Sequence, residues 1–212
     1  MRLTKLGHSC VRLEKDGANL VIDPGVWSGA DPLAGAKALL ITHEHVDHID
    51  SGVVRAALER DASLELWTVG AVAEDFASFG GRVHSVGHGD AFTAAGFDVH
   101  VHGREHAPIY PGMPVVANVG FAIDGNVFHP GDALTVPDEP VKTLLLPISG
   151  PWLKTSEMLD YAKAVRPHIS YAIHDELLNA NGIGLVEMLA GAFLGDAGTY
   201  SRLEPGASAD IY

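Results

Sequence analysis

Thr42-His43-Glu44-His45-Val46-Asp47-His48 decides how this chain is read. Three histidines and one aspartate fall within six residues, directly after the apolar run Ala38-Leu39-Leu40-Ile41. A short apolar run followed by such a cluster reads as a buried strand with the polar residues on the loop at its C-terminal end. His43 and His45 are two apart, so an extended segment points both the same way. Asp47 and His48 follow where the chain can turn, toward a second point nearby. Imidazole nitrogens and carboxylate oxygens are the ligands that zinc and similar divalent ions take. The spacing therefore predicts two adjacent cations rather than one.

Upstream of the cluster the pattern is a β-meander: Arg2–Leu6, Cys10–Glu14 and Ala18–Ile22 are strand-like, with a turn at Lys15-Asp16-Gly17. Asp23-Pro24-Gly25 ends the third strand, and Lys37–Ile41 is the fourth. Downstream, a helix over Ser51–Glu59 is expected, capped by Asp50 or Ser51. Further strands are expected at Leu64–Thr68, Arg82–Val86, Ala91–Thr93, Phe97–His102, Val115–Ile123, Val127–His129, Val141–Leu146 and His168–Ile173. Helices are expected at Ala71–Ser78, Thr155–Val165 and Ile183–Phe193. Glu105–Pro114, with its prolines, reads as a loop. Two stretches rich in β-meander are each followed by alternating helix and strand, which suits layered α and β packing.

The 212 residues, 47% of them apolar, suit one globular domain over 1–212 with a sizeable core. No run approaches the ~20 apolar residues of a membrane span, and Met1–Lys5 shows no apolar leader. Cys10 is the only cysteine, so no intrachain disulfide forms. The expectation is a cytoplasmic protein with no membrane partner. A net charge of −13, with only 14 Lys and Arg, disfavours a nucleic-acid partner. Twelve histidines are many for this length.

The remaining ligands are sought at other strand ends, where loops carry function on a rigid scaffold. In His129-Pro130-Gly131-Asp132 a turn can aim Asp132 inward, and one carboxylate can bridge two cations with its two oxygens. Ile173-His174 ends another strand and supplies a last ligand. The third histidine lies among His84, His88, His100, His102 and His106. Alternation in Val99-His100-Val101-His102 puts both histidines on one face, read as solvated. His106 opens the proline-rich loop, and the strand-end rule favours it over His102.

Thr-His-Glu-His-Val-Asp-His at 42–48 resembles the HxHxDH signature of the metallo-β-lactamase superfamily. Leu20–Gly25 resembles the strand and Asp turn that precede it, His129–Asp132 the Gly-Asp motif, and Ile173-His174 the final histidine. Gly7-His8-Ser9 and Leu146-Pro147-Ile148 further resemble the small UlaG-like metal-dependent hydrolases. The resemblance implies a four-layer αβ/βα sandwich with the site at the edge between two sheets. It also implies two divalent ions per chain, zinc first, with manganese, iron or nickel as alternatives. His43, His45 and His106 would hold one, Asp47, His48 and His174 the other, and Asp132 would bridge.

The implied reaction is hydrolysis of a small-molecule ester, lactone or phosphoester by a water activated between the ions. Asp47 would orient that nucleophile or take its proton, and His129 would either donate from behind the ligands or help protonate a leaving group. His8 sits on a turn that can approach the site, and Asp23 is a candidate acceptor behind a ligand histidine. Tyr110 and Trp152 are candidate pocket walls, and Arg104 or Lys154 candidate anion contacts. The competing expectations are a nuclease or cyclic-nucleotide phosphodiesterase on the same fold, and a metal-binding scaffold without turnover. Family likeness also suggests a homo-oligomer.

Overall fold

The computed structural model describes residues 1–212. The chain opens with β1 (Arg2–Gly7), β2 (Cys10–Lys15) and β3 (Ala18–Ile22), the expected meander, antiparallel throughout. β4 (Ala38–Ile41) is parallel to β3 and buried at every residue, which explains its uninterrupted apolar sequence. Helix α1 (Ser51–Arg60) follows, and Asp50 caps it by accepting from the N–H groups of Gly52 and Val53, both at 3.0 Å. Next come β5 (Glu65–Thr68), α2 (Gly70–Asp75), β6 (Val83–Ser85), β7 (Ala91–Ala94) and β8 (Phe97–His102). They are followed by β9 (Gly120–Ile123), β10 (Val127–His129), β11 (Thr143–Pro147) and α3 (Thr155–Val165). The chain closes with β12 (Ile169–Ile173), α4 (Ala180–Phe193), β13 (Thr199–Ser201) and β14 (Ser208–Asp210).

The strands form two seven-stranded mixed sheets, ordered β14-β1-β2-β3-β4-β5-β6 and β13-β12-β11-β10-β9-β8-β7. One apolar cluster draws on both, joining Leu13, Leu20 and Leu39 to Phe97, Phe121 and Leu145. Val54 and Leu58 of α1 and Val72 of α2 belong to it. A second cluster sets Phe128, Leu144 and Leu146 against Met158 and Tyr161 of α3 and Val186 and Ala190 of α4. Each such side chain contributes about 1.5–3 kcal/mol by leaving water. The result is the expected sandwich of two sheets flanked by helices.

Two expected elements differ. The strand expected over Val115–Ile123 is regular only from Gly120. The residues before it spend their backbone groups on the loop carrying His106: His106 N–H donates to Val116 O, and Asn118 N–H to Arg104 O. The expected helix over Ala71–Ser78 stops at Asp75 and continues as a 3-10 turn kinked at Gly80, whose φ is 62°.

No helix is long and apolar enough to cross a membrane.

Candidate metal centre

The site lies where the C-terminal ends of β3, β4, β10 and β12 converge, joined by the loop after β8. Val119 N–H donates to Thr42 O at 3.1 Å and ties the two sheets together there. The structure brings His43, His45, Asp47, His48, His106, Asp132 and His174 to one place. Ligand-capable atoms of His43, His45, His106 and Asp132 fall within 4.8 Å of one another, and so do those of His8, Asp47, His48 and His174. Asp132 spans the two groups. Its Oδ1 is 3.0 Å from His48 Nε2, and its Oδ2 is 3.0 Å from His174 Nε2 and 3.3 Å from His106 Nε2.

The residues fit divalent cations on their own hydrogen bonding. Nε2 of His43, His48, His106 and His174, and Oδ1 of Asp132, are buried without a hydrogen-bond partner. Orphaned buried polar atoms are costly unless something absent from the protein's own atoms completes them. The far ring nitrogens are arranged to match. His48 Nδ1 donates to Asp23 Oδ2 at 2.7 Å, and His106 Nδ1 to the Ala107 carbonyl. Thr42 Oγ1 donates to Asp23 Oδ2 at 2.7 Å and accepts from His43 Nδ1 at 2.9 Å. The hydrogen bonds thus favour a hydrogen on Nδ1 of His43, His48 and His106, the tautomer that offers Nε2 to a metal, while both ring nitrogens of His174 are without a partner.

Electrostatics point the same way. Burial would raise the Asp132 carboxyl, but His48, His106 and His174 hold it well below the usual carboxylate range. Burial likewise opposes the charge on Asp47, and contacts from His174 and His8 overcome it. Burial lowers His48 and His174, yet Asp132 with Asp23 raises His48 and Asp132 with Asp47 raises His174. For His43, burial dominates and the neighbouring His48 adds to it, so the ring stays neutral. The carboxylate partners thus favour the protonated forms of His48 and His174, and a cation bound there would compete with those protons.

Backbone geometry explains why these side chains converge. Asp23, His8 and His174 are non-glycine residues in the left-handed region, with φ of 51°, 43° and 57°. Gly25 allows the Asp-Pro-Gly turn to touch the next loop: a Cβ there would lie 1.9 Å from Asp47 O. Gly131 has φ 63°, and a Cβ would strike Asn118 Oδ1 at 2.3 Å, so only glycine aims Asp132 inward.

His129 does not reach the pocket. It is fully buried, its Nε2 donates to Ser9 O at 2.9 Å, and its Nδ1 accepts from Gly131 N–H at 3.1 Å. It braces the turn that presents Asp132. His102 departs from expectation too: it is buried, not solvated, because Asp138 and Glu139 fold over its strand face.

Sequence reasoning passed over Asn118, which accepts from Asp132 N–H at 3.0 Å and donates to Pro130 O at 2.9 Å. It assigned Trp152 only to a wall, yet its Nε1 donates to Asp132 Oδ2 at 2.9 Å. A pocket of about 270 Å³ opens over the centre, walled by Trp27, Val46, Ile109, Pro151, Trp152 and Leu177, with His45, Asp47, His106, Asp132 and His174 at its base. Neither Arg104, Tyr110 nor Lys154 lines it; Lys154 borders the adjoining groove.

Comparison with known proteins agrees with this geometry. The Beta-lactamase superfamily domain matches residues 2–174. Protein Rv0786c of Mycobacterium tuberculosis is 37% identical over 191 residues, covering 87% of this chain and 89% of its own length. The UPF0173 metal-dependent hydrolase Atu1317 of Agrobacterium fabrum is 34% identical over 110 residues, covering 45% of this chain and 47% of its own. Igni18, a metallo hydrolase of Ignicoccus hospitalis, superposes with a TM-score of 0.75 at 21% identity, covering 98% of this chain and 97% of its own. With its sheets, its convergent histidines and aspartates and the matched family domain, the chain belongs to the metallo-β-lactamase superfamily, as a metal-dependent hydrolase.

Proposed function

We propose that this chain hydrolyses an uncharged ester or lactone of a small molecule, using two divalent ions bridged by Asp132. The observation that carries the choice of substrate is the pocket: about 270 Å³, apolar on its walls, with no Lys or Arg lining it. Sites for anionic groups usually add cationic donors that fork onto the oxygens. A phosphoester is therefore the second reading, and a nucleic acid or cyclic nucleotide lacks the basic surface it would call for.

When bound, such ions supply Lewis-acid polarisation of the scissile carbonyl and bring the acidity of water toward neutral pH. The chain's own residues do the rest. His43, His45 and His106 would hold one ion, and Asp47, His48 and His174 the other. Asp47 is the one partly exposed carboxylate of the centre, its side chain 18% accessible, so it can orient attacking water. Trp152 holds Asp132 through Oδ2 and also forms a wall, coupling substrate contact to the bridging carboxylate.

His8 stands apart from the ligand histidines. Its Nδ1 accepts the Glu176 N–H at 3.4 Å, so its hydrogen sits on Nε2, 3.4 Å from Asp47 Oδ2. Burial lowers its pKa to about 4, keeping the ring neutral. In this reading His8 is a positioning residue beside Asp47, its Nε2, like those of His43, His48, His106 and His174, buried without a hydrogen-bond partner. The test of the proposed function is a panel of lactones, carboxylic esters, phosphodiesters and sugar phosphates with ion-loaded protein. Turnover confined to lactones or esters is expected. Activity on phosphodiesters alone would favour the second reading, and two bound ions with no turnover on any member would favour a metal-binding scaffold.

A further inference from the structure

Five of the twelve histidines lie away from the centre: His84, His88, His100, His102 and His168. Three of them gather with Asp138 and Glu139 beside the end of β8. His102 is the key member. Its side chain is only 5% exposed, and its Nδ1 is buried without a hydrogen-bond partner. Its other nitrogen, Nε2, lies 3.3 Å from Glu139 Oε1, which also accepts from His100 Nδ1 at 2.9 Å.

A carboxylate only accepts, so a neutral His102 carries its hydrogen on Nε2 and leaves a lone pair on Nδ1. A carboxylate behind one ring nitrogen and an orphaned lone pair at the other is the arrangement that prepares histidine for a metal. That lone pair has companions. Asp138 Oδ2 is 3.4 Å from His102 Nδ1, and ligand atoms of His88, His102 and Asp138 all lie within 4.8 Å of one another. Ligands bonded tetrahedrally to zinc at about 2.0–2.1 Å are separated by about 3.4 Å.

We propose that His88, His102 and Asp138 form a second, peripheral site for a divalent transition cation, separate from the hydrolytic centre. Two imidazoles and one carboxylate suit zinc, nickel or copper rather than magnesium or calcium. His88 and Asp138 are exposed, leaving solvent to fill the remaining coordination positions. The cation would tie three segments together: the turn before β7, the end of β8, and the loop that leads away from Asp132. The same loop already packs on the end of β8, where a Cβ at Gly103 would meet Thr135 Oγ1 at 2.7 Å. The site thus fastens the loop that begins at the bridging carboxylate, and it stands whether or not the proposed substrate is right.

The test titrates Zn²⁺ by calorimetry into protein whose hydrolytic centre is already filled. The comparison is the double variant His88→Ala/Asp138→Asn, whose changes are on exposed side chains and spare the fold. The parent should take up one further equivalent that the variant does not. Hydrogen exchange should slow on Zn²⁺ addition over residues 133–140 and the end of β8 in the parent alone. No further uptake by the parent, or equal uptake by the variant, would overturn the proposal.

Discussion

Asp23 Oδ2 accepts the Nδ1 hydrogen of His48 at 2.7 Å, and the opposite nitrogen of the same ring faces Asp132 Oδ1 at 3.0 Å. One imidazole therefore links a carboxylate buried behind the site to the carboxylate in it. Asp23 also fixes Thr42 through its N–H and hydroxyl, and through that hydroxyl the ring of His43. A single side chain thus orients two histidines of the cluster, His48 directly and His43 through Thr42.

Removing that control should loosen both rings. Asp23→Asn is expected to lower metal affinity about 10–100-fold, the usual effect of losing such an outer partner. Competition against a chromophoric chelator measures it. An unchanged affinity would mean the histidines orient themselves without Asp23.

His8 separates two roles that sequence could not distinguish. If it positions Asp47 through a hydrogen bond, His8→Phe keeps its full complement of ions while turnover falls about 10–100-fold. His8→Gln, which restores an N–H near Nε2, should recover much of that loss. Loss of an ion from His8→Phe, seen by elemental analysis, would instead make His8 a ligand.

Proton balance gives a third expectation. His48 and His174 are raised by their carboxylate partners above the ordinary histidine value of about 6.5. In ion-free protein the stability they contribute is fully present below that value. It is lost as pH rises through their raised folded-state values. Cations must displace those protons, so affinity should climb with pH and loading should release protons. Calorimetry in buffers of differing ionisation enthalpy counts them, and zero net release would contradict the assignment.

Lys5 tests the scaffold rather than the chemistry. Its Nζ is buried and donates to Ala172 O and Asp175 Oδ1, both at 2.9 Å, holding the first strand against the turn that carries His174. Lys5→Met is expected to cost about 3–5 kcal/mol, nearer the lower figure because Arg202 still pairs with Asp175. The midpoint of denaturant unfolding reports it.

Most strands, and the histidines and aspartates that gather at their ends, were legible in the sequence because their signals are local. Period-two burial marks β1 to β3, an unbroken apolar run marks β4, and ligand-type residues stand at the strand ends. Much of what holds these side chains was not legible, because it arises between distant segments. The turn Asp23-Pro24-Gly25 offered Asp23 as an acceptor, but not which histidine it meets: His48, 25 residues away. Trp152 meets Asp132, and Asn118 meets the Gly131 turn, only once the second sheet is assembled. His102 looked solvated by alternation, and it is buried because a loop some 36 residues later in the chain folds over it. His129 ends a strand as the ligands do, but its ring turns away from the pocket to brace the backbone.

The proposed centre holds two ions and hydrolyses through Asp132 and the histidines around it. The most direct measurement is elemental analysis of protein purified without added metal and desalted over a weak chelator, paired with ester and lactone hydrolysis, for the parent, His45→Ala and Asp132→Ala. The chelator strips the exposed peripheral site and spares the buried centre. Two ions per parent chain, fewer in both variants, and hydrolysis abolished in both are the predicted result. A single ion in the parent, or a His45→Ala protein that hydrolyses as well as the parent, would contradict the account.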